Sequence, residues 1–321
     1  VDATADLGLD TQPEGDGYIT LGDWNLDGRT DIFYAQGRGI LFLQSEKGSF
    51  TPGKQKIYFN FKGGPDLEPG LTGAGTFAPV WSDETVDLVV PEDSFLTLAT
   101  KSPEGPASVT GFGNEIALAT DSQSATLAHD LDMDGYLDLF TITRDPKGKN
   151  SYHTNRGFGS FMKSDLYEPG FIPGTSYSTG AGGVAAGDIN GDGADDLLLG
   201  GLAGRLVVVL NDCLSLRKDV EHPIYHLAKL METGIASITL NRPLGIWGAR
   251  LTVRDSDGET AALRFTNHPV LTGCGGSATT NIALRDPGTY QLEVRYTDGE
   301  TDTVPFEIKP GERTKVRVGG K

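Results

Sequence analysis

The chain has 321 residues, including 44 Gly and 17 Pro, with 37% hydrophobic content. That length is comfortable for two domains, and turn formers at this density suit many short strands. A net charge of −17 and a pI near 4.6 exclude nucleic acid and an anionic membrane surface as partners.

No stretch is long enough for a transmembrane helix. The most apolar segment, Leu197 to Leu210, is interrupted by Gly200, Gly201, Gly204 and Arg205 and reads as two strands and a turn. The chain starts at Val1 without Met, as a chain with a removed signal peptide or a piece of a longer chain would. The two cysteines, Cys213 and Cys274, are compatible with one disulfide without requiring it.

In chain order the first signal is a repeat. Residues 22–33, 129–140 and 187–198 align without gaps and read D-x-[DN]-x-D-G-x-x-D followed by an apolar run. A decayed copy lies at 78–90, where Asp87 matches the last Asp and Pro79 stands at the first. The first positions are then 23, 79, 130 and 188, at intervals of 56, 51 and 58 residues. Each unit reads as a short strand, the loop, an apolar strand such as Ile32-Phe33-Tyr34 or Leu197-Leu198-Leu199, and one or two further strands. About four strands per unit is the size of a propeller blade, and such a unit must stack on its neighbours to bury its apolar faces. Trp81 of the decayed copy is expected to pack in the core and keep the blade shape.

From about Asn211 the pattern changes. His222 to Thr233 reads as a helix, with Ile224, Leu227, Leu230 and Met231 at helical spacing and Gly234 as a stop. Alternating runs follow at Ala236–Leu240, Ala249–Val253, Tyr290–Val294 and Thr314–Val318, with Asp-Gly turns at 257–258 and 298–299. The expected fold is mainly β: a propeller-type domain of about four blades over 1–212, then a small antiparallel β-sandwich over 213–321.

The loops carry the chemistry. Calcium takes six to eight hard oxygen ligands, and alternate positions of one tight loop supply most of them. The candidate ligands are Asp23, Asn25, Asp27, the carbonyl of Arg29, and Asp31 in the first loop. In the second they are Asp130, Asp132, Asp134, the carbonyl of Tyr136, and Asp138. In the third they are Asp188, Asn190, Asp192, the carbonyl of Ala194, and Asp196. About three calcium ions are expected. The competing reading is a set of Asp-Gly turns without metal. Position twelve is Tyr34, Thr141 or Leu199, so the EF-hand, which needs Glu there, is rejected. The decayed copy lacks the first two ligands and is expected to bind no metal.

These loops resemble FG-GAP/VCBS repeats of integrin-like β-propellers. The opening 1–9 segment, the stretch 248–253 and the stretch 292–299 resemble the ASPIC/UnbV group. The resemblance implies a secreted, periplasmic or cell-surface protein in which calcium stabilises a propeller. Integrin-type propellers have seven blades against the four counted here, so a small ring, closure by the second domain, and completion by a partner chain all stay open.

No catalytic constellation accompanies the loops. His222 and His226 are spaced i, i+4, but Pro223 and Tyr225 flank them where a zincin would need Glu. His129 precedes a loop ligand and reads either as a support to that ligand or as structural. G-x-S-x-G, P-loop and C-x-x-C patterns are absent. The expected function is therefore that of a calcium-binding interaction or scaffold module with a protein partner, in adhesion or as a subunit of a larger assembly. The alternative is a polysaccharide-active enzyme or a glycan-binding protein using the propeller face, with Trp81 and Trp247 as candidate aromatics.

Overall fold

The computed structural model describes residues 2–10, 17–35, 39–52, 73, 75–81, 84–91, 96–100, 108–111, 123–143, 150–157, 161–163, 181–201, 206–216, 233–242, 248–266 and 279–319. The expected helix over 222–233, Cys274 and Trp247 lie outside them, apart from Thr233. Cys213 is buried.

The fold is mainly β. The first sheet holds β1 (Tyr18–Gly22), β2 (Asp31–Ala35), β3 (Ile40–Gln44) and β4 (Phe50–Pro52) as an antiparallel meander. The second holds β5 (Thr76–Ala78), β6 (Asp87–Pro91), β7 (Leu96–Thr100) and β8 (Ser108–Gly111). The third holds β9 (Gln123–His129), β10 (Asp138–Thr143), β11 (Ser151–Asn155) and β12 (Phe161–Lys163). In the fourth, three strands are described: β13 (Ala181–Gly187), β14 (Asp196–Gly201) and β15 (Leu206–Val209). Each sheet is small, blade-sized and not closed on itself.

The sheets stack through their apolar strands. Phe33 of β2, Phe77 of β5 and Leu88 and Val90 of β6 share one cluster. Val89 of β6 packs instead with Leu139 of β10, and Phe140 of β10 packs with Val184 and Leu197 of the fourth sheet. The second strand of a sheet thus buries both faces, which is why these strands read as continuous apolar runs rather than alternating ones. The first strands sit side by side: β1 contacts β5, β5 contacts β9, and β9 contacts β13.

Two asparagines tie the third sheet to the second and the fourth to the third. The Asn155 side-chain amide donates to the carbonyls of Val80, at 2.9 Å, and Leu137, at 3.0 Å. The Asn211 amide donates to Leu131, at 2.6 Å, and Asp195, at 3.0 Å. In both cases the first acceptor is the residue at position two of the preceding sheet's loop. The second is position eight of the asparagine's own loop.

After the short helix α1 (Cys213–Leu216) come seven strands in two sheets. One is β19 (Thr279–Leu284), β16 (Gly234–Leu240) and β22 (Arg313–Val318). The other is β18 (Thr260–Phe265), β17 (Arg250–Arg254), β20 (Gly288–Arg295) and β21 (Thr301–Ile308). The core between them includes Ile238, Leu251, Val253, Ile282, Leu292, Val294 and Val316. The pairing is antiparallel except between β16 and β22, which run parallel. This sandwich rests on the loop end of the repeat array. Leu263 of β18 joins the core of the first two sheets, and Ile235 and Ala283 pack with Met133 and Ala194 of the second and third loops.

Candidate metal centre

Each complete loop joins the first and second strands of its sheet. The strands pair up to its mouth, at Gly22 with Asp31, His129 with Asp138, and Gly187 with Asp196. Within the loop, side-chain oxygens at alternate positions accept successive backbone amides. The Asp23 carboxylate accepts from Asp27 and Gly28, Asn25 accepts from Asp27, and Asp27 accepts from Arg29. The second loop repeats this with Asp130 to Asp134 and Gly135, Asp132 to Asp134, and Asp134 to Tyr136. The third does so with Asp188 to Gly191 and Gly193, Asn190 to Asp192, and Asp192 to Ala194. These local bonds curl the chain and hold alternate oxygens on its inner side.

Two positions per loop take left-handed backbone. The sixth is Gly in every copy, with φ of 87°, 94° and 103° at Gly28, Gly135 and Gly193. The fourth is Leu26 or Met133, both at 59°, or Gly191 at 79°. A bulky residue with positive φ is uncommon. Nothing in the residue types of Leu26 and Met133 signals it, although Gly191 in the third copy marks the position.

The ninth-position aspartates have a second role that the spacing did not reveal. Asp31 accepts the amides of Trp24 and Gln44, and Asp196 those of Ile189, Asn190 and Asn211. Asp138 accepts the amides of Leu131, Asp132 and Asn155 and the Tyr152 hydroxyl. Asp87 of the decayed copy keeps the same bonds to Val80 and Trp81. This carboxylate therefore staples the loop whether or not the other ligands are present.

The second loop is the most compact acidic centre. Carboxylate oxygens of Asp130, Asp132 and Asp138 lie within 4.8 Å of one another, and all three residues are buried. Burial, reinforced by repulsion from Asp134, pushes Asp130 up to about 7. Burial and the neighbouring carboxylates also hold Asp132 and Asp138 well above the usual range. In the first loop burial raises Asp23, and it raises Asp31 to about 6. Three buried like charges at this separation need either protons or a cation. The donors are all oxygens on alternate positions of one loop, so they fit a hard divalent ion. The third loop is more open, and Asn190 donates to Asp192 across it, at 2.9 Å.

Arginines of the sandwich grip the outside of every complete loop. Arg250 donates to Leu26 O and Arg295 to Asp27 O, both at 3.0 Å. Arg264 donates to Gly135 O at 2.9 Å and Arg285 to Asp134 O at 3.1 Å. Arg313 donates to Gly191 O and pairs with Asp188 Oδ2, at 3.0 and 2.8 Å. The sixth-position glycines lie beneath them: a Cβ on Gly28 would sit 2.6 Å from Arg295, and one on Gly193 3.3 Å from Arg313. Asp195, at position eight, joins three parts of the chain, pairing with His129 Nε2 and accepting from Asn281 at 2.8 Å. The structural role expected for His129 is this pairing. Trp81, expected in the core, is instead 40% exposed, while its amide donates to the buried Asp87.

Comparison with known proteins fits the repeat. The FG-GAP-like repeat family matches residues 130–199, which run from the first Asp of the second loop into β14. No curated protein sequence matches the chain. PorZ, an essential bacterial surface component of the type-IX secretion system of Porphyromonas gingivalis, aligns over 90% of this chain and 38% of its own. The identity is 11% and the TM-score 0.38. The chain thus spans well under half of PorZ. A lectin of Agrocybe aegerita that recognises non-reducing terminal N-acetylglucosamine aligns over 92% of this chain and 80% of its own, at 13% identity and a TM-score of 0.40. A Ca2+-stabilised adhesin of an Antarctic bacterium aligns over 94% and 91%, at 8% identity and a TM-score of 0.15. The matched span places an FG-GAP-like repeat in this chain, from the second loop through the third.

Proposed function

We propose that the protein is a calcium-stabilised extracytoplasmic interaction or scaffold module without catalytic activity. The observation that carries the reading is the buried Asp130–Asp132–Asp138 centre, set in a loop whose hydrogen-bond ladder recurs in two other copies. Calcium would be held by Asp130, Asp132, Asp134, the Tyr136 carbonyl and Asp138, and by the matching residues of the first and third loops. It would neutralise carboxylates that otherwise repel one another. The chain's own residues supply the rest: the amide ladder sets the loop curvature, and the ninth aspartate locks it to the sheet. The array resembles a propeller, and the seven C-terminal strands an ASPIC/UnbV domain.

The carboxylates of the three complete loops are engaged in their own amide ladders, which favours a binding role over catalysis for these loops. A protein partner in a surface assembly or adhesion is the expected use.

The test is metal content by mass spectrometry together with thermal unfolding in calcium and in chelator. Close to three calcium ions per chain, with a large fall in melting temperature on chelation, is the expected result. At a free concentration 100 times Kd, one site adds about 2.7 kcal/mol. A metal-free protein whose melting point ignores both reagents would reduce the loops to turns. Stoichiometric co-purification of a partner supports the scaffold reading, and a lone monomer under the same conditions counts against it.

A further inference from the structure

The sandwich treats the four repeats unequally. Among the described residues, its arginines donate to the first, second and third complete loops and not to the decayed one. Beside the decayed copy the two halves of the molecule part, leaving a groove of about 550 Å3. That volume lies in the range of small-ligand sites, roughly 300–1,000 Å3.

The walls of this groove have a definite chemistry. Trp81 stands on one side, exposed, with its backbone fixed by a 2.7 Å bond from its amide to Asp87. Glu84 is beside it, and Asp255 and Asp286 face it from the sandwich. Tyr136 and Arg285 form another part of the wall, the guanidinium lying 3.3 Å from the ring centroid. An exposed indole offers a flat apolar face. Carboxylates around it accept hydrogen bonds, and a guanidinium donates them.

That combination narrows the ligand. Three carboxylates repel phosphate, sulfate and acidic sugars. A purely cationic ligand would meet Arg285, which already covers the Tyr136 ring. A neutral ligand with an apolar C–H face and hydroxyls that both donate and accept uses every group present. We propose that the groove between the decayed repeat and the sandwich binds a neutral carbohydrate, with Trp81 as its stacking platform and Asp255 and Asp286 accepting from sugar hydroxyls. The inference does not rest on calcium binding, since its platform belongs to the copy that lacks cation ligands at positions one and three.

The experiment uses the full chain against a panel of neutral oligomers of hexoses and N-acetylhexosamines, on an array and then by titration calorimetry. The expected result is binding of at least one such oligomer, a loss of tenfold or more in affinity for Trp81→Ala, and a smaller loss for Asp286→Asn. Both side chains are exposed, so unchanged melting temperatures are expected and separate lost binding from lost folding. The proposal is overturned if no neutral oligomer binds at millimolar concentration, or if Trp81→Ala binds as the wild type does. It is also overturned if a Lys/Arg-rich peptide, run as a parallel probe, binds the wild type in a Trp81-dependent way while the sugars do not.

Discussion

Asp87 keeps its bonds to the amides of Val80 and Trp81 in a repeat that has Pro79 and Trp81 where two cation ligands would stand. A buried carboxylate retained where those two ligands are missing contributes through those amides. Burial raises its pKa to about 7 from an ordinary 3.8. Because the folded-state value is the higher one, the folded protein binds the proton more tightly than the unfolded chain. The associated stability is full below about pH 4 and is lost as pH rises through about 7. Asp31, at about 6, and Asp130, at about 7, act in the same direction. In chelator the melting temperature should therefore fall between pH 5 and pH 8, and Asp87→Asn should flatten part of that fall. In calcium the trend should weaken or reverse, since the ion replaces protons and its affinity grows as the carboxylates ionise. Melting curves over a pH series in both buffers check this. A metal-free protein that melts at the same temperature throughout would contradict it. At this scale the sequence was only partly legible. Oxygen-bearing positions stand out by spacing, but the ninth aspartate's amide bonds come from strand pairing across the loop mouth. Trp81 was misjudged because hydrophobicity alone does not say which way a turn directs a side chain.

The loop as an element is held from two directions. Inside, its own side chains accept its own amides; outside, sandwich arginines take the carbonyls at positions four to six. The sixth glycine serves both, and substitutions can separate the two roles. Gly48 also has positive φ, 83°, but a Cβ there would touch nothing within 4 Å. Gly135, at 94°, would place a Cβ 3.2 Å from the Ala283 carbonyl and from Arg285. Gly48→Ala should cost about 1–2 kcal/mol for backbone strain alone. Gly135→Ala should cost measurably more, and urea denaturation of the two variants would read the excess as the docking contribution. Equal losses would mean that the sandwich does not bear on the loop. The repeat pattern in the sequence located all three loops, because D-x-[DN]-x-D-G-x-x-D leaves little freedom in where the turn falls. The arginines were invisible for the opposite reason: Arg250, Arg264, Arg285, Arg295 and Arg313 sit in or beside strands with no shared motif, and only the packing of the two halves brings them to the loops.

For the whole molecule, the intervals of 51 to 58 residues and the apolar second strands pointed to stacked, blade-sized sheets, and the alternating runs after Asn211 to a β-sandwich. The parallel pairing of β16 with β22 was not foreseeable, since alternation looks the same in either direction. Nor were the asparagines that clip one sheet to the one before. Asn211→Ala leaves the buried carbonyls of Leu131 and Asp195 without this donor and the Cys213 amide without its acceptor. A loss of about 3 kcal/mol is expected by equilibrium denaturation, at one or more kcal/mol per orphaned group. Those clips also give the array a direction. Asn155 and Asn211 each reach backward, so a sheet at the C-terminal end of the array can leave without stripping clips from those behind it. Under tension applied through the C-terminus, once the sandwich has come away, the chain should pay out in discrete lengths, one sheet at a time. Each release of roughly 55 residues would lengthen the tether by about 180–200 Å at full extension. Optical-tweezer traces would show a staircase, and a single abrupt rip would mean that the sheets give way together.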